Sequence, residues 1–249
     1  MKKKTQSLKD DFEEALKNYQ KKNFKNTEFL CHKILSIDQN HFNSISLLAT
    51  ISAFNKNFVK AEELMLKAVA IKPKNVSALN NLGSACKELG KLDEAANNFK
   101  KALKINPKHV NANYNLGLTF YQLGELKNAK SYLQKTTEIQ NNYALAFYAL
   151  GNVYTESKEL KEAVSSFQKA IEINPNLANA HNNLGLAFRD LNDFQSAINS
   201  YQKAVKIQPS HAGAHHNLAQ VFREVGEFEK SIKSHLMAIK YEPQNLTHH

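Results

Sequence analysis

The stretch LNNLGSACKELG, residues 79–90, sets two asparagines before a Leu-Gly pair in a segment whose apolar residues recur at helical spacing. Asparagine is a poor helix former, because its short amide competes with the backbone for hydrogen bonds, so its doubling needs a reason. Related stretches begin at Asn113 (NYNLGLTFYQLG), His181 (HNNLGLAFRDLN) and His215 (HHNLAQVFREVG), at separations of 34, 68 and 34 residues. A period of this length is the mark of a repeat architecture.

With Val76 as position 1 of a 34-residue unit, all five prolines (Pro73, Pro107, Pro175, Pro209, Pro243) fall on position 32. Gly83, Gly117, Gly151 and Gly185 take position 8, and Gly90, Gly124 and Gly226 take position 15. Position 15 predicts the end of a first helix, where a residue at φ > 0 closes the C-terminus. Position 32 predicts the end of a second, because proline donates no amide hydrogen and clashes with the preceding turn. Each unit therefore reads as helix, tight turn, helix, stop.

Small residues show how the two helices meet. Position 20 is Ala61, Ala95, Ala129, Ala163 and Ala197, and position 27 is Ala68, Ala102, Ala170, Ala204 and Ala238, while leucines 82, 116, 150, 184 and 218 hold position 7. Such spacing lets two helices approach closely with leucine filling the space beside them. A hairpin this thin cannot bury its own apolar face, so the expected object is a solenoid in which each unit stacks on the next.

Period and residues resemble the tetratricopeptide repeat, whose pattern is met in the unit from Ala178 by Leu184, Gly185, Phe188, Ala197, Tyr201, Ala204 and Pro209. The resemblance implies an all-α, right-handed superhelix (an α-solenoid) of seven repeats, 8–41, 42–75, 76–109, 110–143, 144–177, 178–211 and 212–245, with tails at 1–7 and 246–249. The family's usual tryptophan at position 4 is replaced by Leu79, Asn113, Phe147, His181 and His215. The first unit, with Glu14 and Thr27 at packing positions, reads as a degenerate cap. The fourth has Thr136 at position 27 and Asn141 in place of proline, so a looser turn, or one shaped for a ligand, is expected after it.

In the family the first helices line the concave surface, with positions 2, 5, 6, 9, 12 and 13 facing inward. Position 6 is Asn81, Asn115, Asn183 and Asn217, interrupted by Leu47 and Ala149. Two jobs suit these amides, tying neighbouring helices together or offering a donor and an acceptor each to an extended peptide. The second resembles the asparagine ladder of O-linked N-acetylglucosamine transferases. Four hydrogen bonds at about 0.5–1.5 kcal/mol each fall short of the roughly 8 kcal/mol of micromolar binding, so apolar anchors are required. Tyr114, Leu118 and Tyr121 with Leu145 and Tyr148, beside Asn115 and Asn152, are the candidates, and Arg189 and Arg223 could hold a carboxylate unless Asp190 and Glu224 neutralise them.

Several chemistries are disfavoured. The charge of +10 is carried partly by lysines 33, 67, 101, 135, 169 and 203 at position 26, a stripe without alternating aromatics that reads as a solvated face, so neither nucleic acid nor membrane is expected as a partner. Inward position 5 carries no lysine, which disfavours chaperone tails as ligands. Cys31 and Cys86 read as buried small hydrophobes, and His211, His215 and His216 should diverge rather than hold a metal. No phosphate loop or nucleophile motif is present, so the expectation is a non-enzymatic, cofactor-free, cytoplasmic scaffold for a partner protein or extended peptide. The rival is the substrate-recognition arm of a larger enzyme such as a glycosyltransferase or other transferase, since Ile232, Leu236 and Ile239 lack a following unit and would meet a downstream domain, a partner or a second copy.

Overall fold

The computed structural model describes residues 2–242. Pro243 and the tail 246–249 lie outside the described residues. Among the described residues there are fourteen α-helices and no strand: α1 (Lys2–Gln20), α2 (Phe24–Ile37), α3 (Phe42–Phe54), α4 (Phe58–Ile71), α5 (Val76–Glu88), α6 (Leu92–Ile105), α7 (Val110–Gln122), α8 (Leu126–Ile139), α9 (Ala144–Glu156), α10 (Leu160–Ile173), α11 (Ala178–Asp190), α12 (Phe194–Ile207), α13 (Ala212–Glu224) and α14 (Phe228–Tyr241). Odd-numbered helices are the first, and even-numbered helices the second, of each 34-residue unit. α1 takes in residues 2–7, which the sequence reading left outside the repeats.

The chain divides into two compact units, Met1–Leu123 and Gly124–His249. In the first, α3 packs on α4, α4 on α5, α5 on α6 and α6 on α7, with further contact between α3 and α5 and between α5 and α7. In the second, α9 to α14 pack in the same order, with α11 also touching α9 and α13. The pattern is the nearest-neighbour stacking expected of thin hairpins.

Position 15 adopts φ > 0 in every unit: Gly90, Gly124 and Gly226 at 75–80°, and Lys22, Lys56, Lys158 and Asn192 at 58–63°. The geometry of the turn is thus fixed even where the residue is not glycine and carries a steric cost. Position 32 behaves likewise. Gln140, before Asn141, caps α8 at φ −133° and ψ 92° and donates its amide to the Thr136 carbonyl, almost as Asn106 caps α6 before Pro107 at −131° and 92°. The backbone bond that closes the helix before the fourth unit's turn therefore forms without proline's help.

At three of the four position-8 glycines the role is sharper than close approach of two backbones; the fourth, Gly117, has Leu133 at position 24 of its hairpin. A Cβ on Gly83 would lie 2.7 Å from the Phe99 ring, one on Gly151 2.5 Å from Phe167, and one on Gly185 2.6 Å from Tyr201. Each ring is position 24 of the same hairpin and is fully buried. Where position 8 is alanine (Ala15, Ala49, Ala219), position 24 holds the non-ring Cys31 or Met65, or the smaller His235. Thr27 in the degenerate first unit is buried too, its hydroxyl bonded to the Asn23 carbonyl at 2.9 Å, while Glu14 faces water.

Ion pairs join consecutive hairpins at one recurring place. Glu62, at position 21, meets Lys91, at position 16 of the next unit, at 2.7 Å, and Lys130 meets Glu159 at 2.8 Å at the same two positions with the signs exchanged. Pairs this exposed contribute about 0–1 kcal/mol each.

Candidate functional site

The face of the first helices is built mainly from side-chain amides, hydroxyls and tyrosines, and its hydrogen bonds follow a fixed offset. In the first unit Asn115 donates to Asn80 Oδ1 and to Ser84 Oγ, both at 3.4 Å. In the second, Asn183 donates to Asn152 Oδ1 at 2.8 Å and to the Tyr148 hydroxyl at 3.3 Å, and Asn217 donates to Asn182 Oδ1 at 3.0 Å. Position 6 of one hairpin thus reaches back to positions 5 and 9 of the hairpin before. Within a helix, Asn80 donates to Asn81 and Asn182 to Asn183, at 3.3 and 3.1 Å. The resulting relay runs Asn217, Asn182, Asn183, Asn152 through α13, α11 and α9.

Of the two jobs open to the asparagines, tying helices together is therefore the one these contacts perform. A buried amide left unpaired costs about 1–3 kcal/mol, so mutual satisfaction explains why poor helix formers are tolerated here. Asn81 differs. It accepts from Asn80, but its own nitrogen donates to nothing among the described residues.

The expected anchors fall on two helices. Tyr114, Leu118 and Tyr121 are half-buried on α7 in the first unit. Leu145 on α9 in the second is 45% exposed, with Tyr148 and Asn152 half-buried on the same helix. Tyr148 is also engaged, with its ring 6.0 Å from Phe167 and its hydroxyl accepting from Asn183.

The arginines separate. Arg189 donates to Gln220 Oε1 at 2.9 Å and lies 3.6 Å from Asp190, so its guanidinium is already occupied. Arg223 is exposed and makes no ion pair among the described residues.

The histidines each have a separate partner. His211 Nε2 meets Asn179 Oδ1 at 3.0 Å, His215 Nε2 meets the Pro209 carbonyl at 2.9 Å, and the His216 ring packs edge-on to His235 at 5.4 Å. The Pro209 contact reveals a pattern that sequence reasoning missed. Position 4 bonds to the carbonyl of the preceding position-32 proline: His181 to Pro175 at 3.0 Å, and Asn113 to Pro107 at 3.1 Å. A polar residue in the tryptophan slot thus gains a hydrogen bond as it loses packing area. The signal was visible as His or Asn six residues after proline.

Burial pushes the His181 pKa down, opposed by the Pro175 carbonyl and aided by Lys203, and burial likewise lowers His211, whose Nδ1 accepts from the Ala214 amide. The unfolded chain, with ordinary imidazoles near 6.5, then binds the proton more readily than the folded one. Stability is complete above that value and falls as the pH drops through 6.5 and below. Urea midpoints at pH 8 and pH 5.5 should show the loss, and His181→Asn, which can keep the proline contact as Asn113 does, should reduce it. An unchanged midpoint between the two pH values contradicts the assignment.

Both cysteines are buried, and burial pushes each thiol up to about 11, which keeps them as unreactive hydrophobes. Glu62, Cys86 and Glu94 have donor atoms within 4.8 Å of one another. The cation in that cluster is the Lys91 ammonium, at 2.7 and 2.8 Å from the two Glu62 oxygens. Of the position-26 lysines, Lys33, Lys67 and Lys169 are paired with Asp11, Glu63 and Glu172. Ile232 and Leu236 on α14 are 62% and 61% exposed and Ile239 36%. No helix among the described residues is long and apolar enough to cross a membrane.

Comparison with known proteins meets this arrangement from a separate direction. Models of the TPR repeat match residues 83–124, 151–188 and 185–226, and two further tetratricopeptide-repeat models match 110–143 and 214–247. A model of anaphase-promoting complex, cyclosome, subunit 3 matches 20–102. No curated protein matches the chain by sequence. Among solved structures, MamA is 27% identical with a TM-score of 0.63, over 66% of this chain and 96% of that one. YrrB, described as a TPR protein with an unusual peptide-binding site, is 22% identical with a TM-score of 0.63, over 75% and 96%. A chain of the APC/C hetero-tetramer Cut9-Hcn1 is 19% identical with a TM-score of 0.73, over 89% and 44%. Hairpins closed at φ > 0, glycines seated under rings, and family matches over both units agree: the chain is a tetratricopeptide-repeat protein.

Proposed function

We propose that this chain is a non-catalytic scaffold that binds an extended peptide or a partner protein on the face of its first helices. The observation that carries the reading is the division of labour on that face. Asn115, Asn183 and Asn217 direct their donors to neighbouring helices, while Leu145 and Arg223 stay exposed to solvent. A rigid polar floor with apolar and cationic groups standing free of it suits a ligand with an aliphatic side chain and a carboxylate, because preorganised surfaces lose little entropy on binding. The peptide-binding site of YrrB is in keeping with it.

The test treats each compact unit separately. Tagged chain would be used to capture partners from lysate, with Tyr114→Ala/Leu118→Ala as one variant and Leu145→Ala/Arg223→Ala as another. Loss of about one hydrophobic contact and one charge-assisted bond predicts a recovery reduced roughly tenfold or more for at least one variant. Recovery equal to wild type in both, with helix content unchanged, would remove the proposed face.

A further inference from the structure

We infer that the first unit carries a side-chain pocket, lying between α3, α4 and α5, that takes one leucine-sized apolar side chain of an extended peptide while Asn81 donates to that peptide's backbone carbonyl. The inference rests on the peptide-binding reading and names the residue class it selects. The cavity measures about 160 Å³ and is walled by Ala49, Ala53, Ala61, Met65 and Ala85 among others, with Asn81 and Ser84 also lining it. An apolar cavity of about 150 Å³ is large enough to hold benzene, so a leucine, methionine or phenylalanine side chain fits.

Three observations point to a ligand rather than to loose packing. The first is a small wall residue. Position 12 is Tyr19, Lys87, Tyr121, Thr155, Arg189 and Arg223 elsewhere but Ala53 here, so the residue of this repeat position that lines the cavity is the smallest of the seven. The second is the unused donor. By the offset that Asn115 and Asn183 follow, Asn81 should donate to Ser46 and Thr50; neither bond forms, and the buried Ser46 hydroxyl has no partner. The third is the placement of that donor on the wall of the same cavity. A peptide residue seated there satisfies the amide and fills the apolar space together.

The chain has three methionines, Met1, Met65 and Met237, so the ε-methyl of Met65 is an internal reporter. Protein labelled with ¹³C at methionine methyls would be titrated with N-acetyl-leucine N-methylamide, and with the glycine analogue as the backbone-only control. The expected result is a saturable shift at Met65 and not at Met237, absent with the glycine analogue, abolished by Ala53→Tyr and weakened about fivefold by Asn81→Ala. Tyrosine at position 12 has two precedents in this chain, and circular dichroism checks that the variant folds. A Met65 methyl unmoved by the leucine amide, or moved equally in Ala53→Tyr, overturns the inference. The fragment reports on the cavity alone. A responding Met65 with no captured partner therefore defeats the scaffold reading and keeps the pocket, and the opposite pair of results does the reverse.

Discussion

Phe167→Ala lowers the unfolding free energy by about 3–5 kcal/mol. The ring is fully buried, lies against Tyr148 and occupies the space over Gly151 that a Cβ would otherwise contest. Ala163 and Ala170 on the same helix are fully buried small residues and offer little to fill the void. α10 packs on both α9 and α11, so the damage reaches two hairpins and should fade beyond them, as nearest-neighbour coupling requires. Hydrogen exchange should accelerate more in α9–α11 than in α13 and α14. A uniform acceleration across the second unit, or a loss below about 1 kcal/mol, would count against this packing.

Gly151→Ala should cost about 1–3 kcal/mol although it adds one methyl group to a helix that favours alanine. Helix propensity alone predicts a gain of roughly 1 kcal/mol, so the sign decides between the local and the tertiary account. The new Cβ would stand 2.5, 2.6 and 2.8 Å from three atoms of the Phe167 ring, and a ring cannot yield as a flexible chain end does. The remedy is written elsewhere in the same chain, where Ala49 is paired with Met65. Gly151→Ala with Phe167→Met should therefore be more stable than the two single losses added together, by about 1–2 kcal/mol of coupling. A double-mutant cycle in urea measures it, and strict additivity would refute the ring-over-glycine account.

Much of the fold was legible because its punctuation is local. Gly90 and Pro107 end helices through their own backbone chemistry, and a helical period places Leu116 and Leu184 inward whatever lies beyond. The helix end before Asn141 carries no such mark: proline is a visible stop, whereas the amide of Gln140 that performs the closure is carried by nearly every residue type. The face of the first helices was half legible. Spacing along the chain put Asn81, Asn115, Asn183 and Asn217 at one repeat position, but which amide bonds which depends on the axial offset between successive hairpins, and no single repeat contains that distance. Arg189 and Arg223 share a repeat position yet differ in freedom, because Gln220 stands opposite the first. The pocket beside Asn81 was hidden most deeply, since its walls come from three helices of two successive hairpins.

The sign-exchanged pairs Glu62 with Lys91 and Lys130 with Glu159 mean that the hairpins are not interchangeable bricks. A gene in which the 42–75 segment were spliced directly ahead of 144–177 would set Glu62 against Glu159, and 110–143 ahead of 76–109 would oppose two lysines. Each such junction would exchange an attraction of about 0–1 kcal/mol for a like-charge contact. The charge at each seam thus matches one neighbour and not another, separately from whatever the array binds.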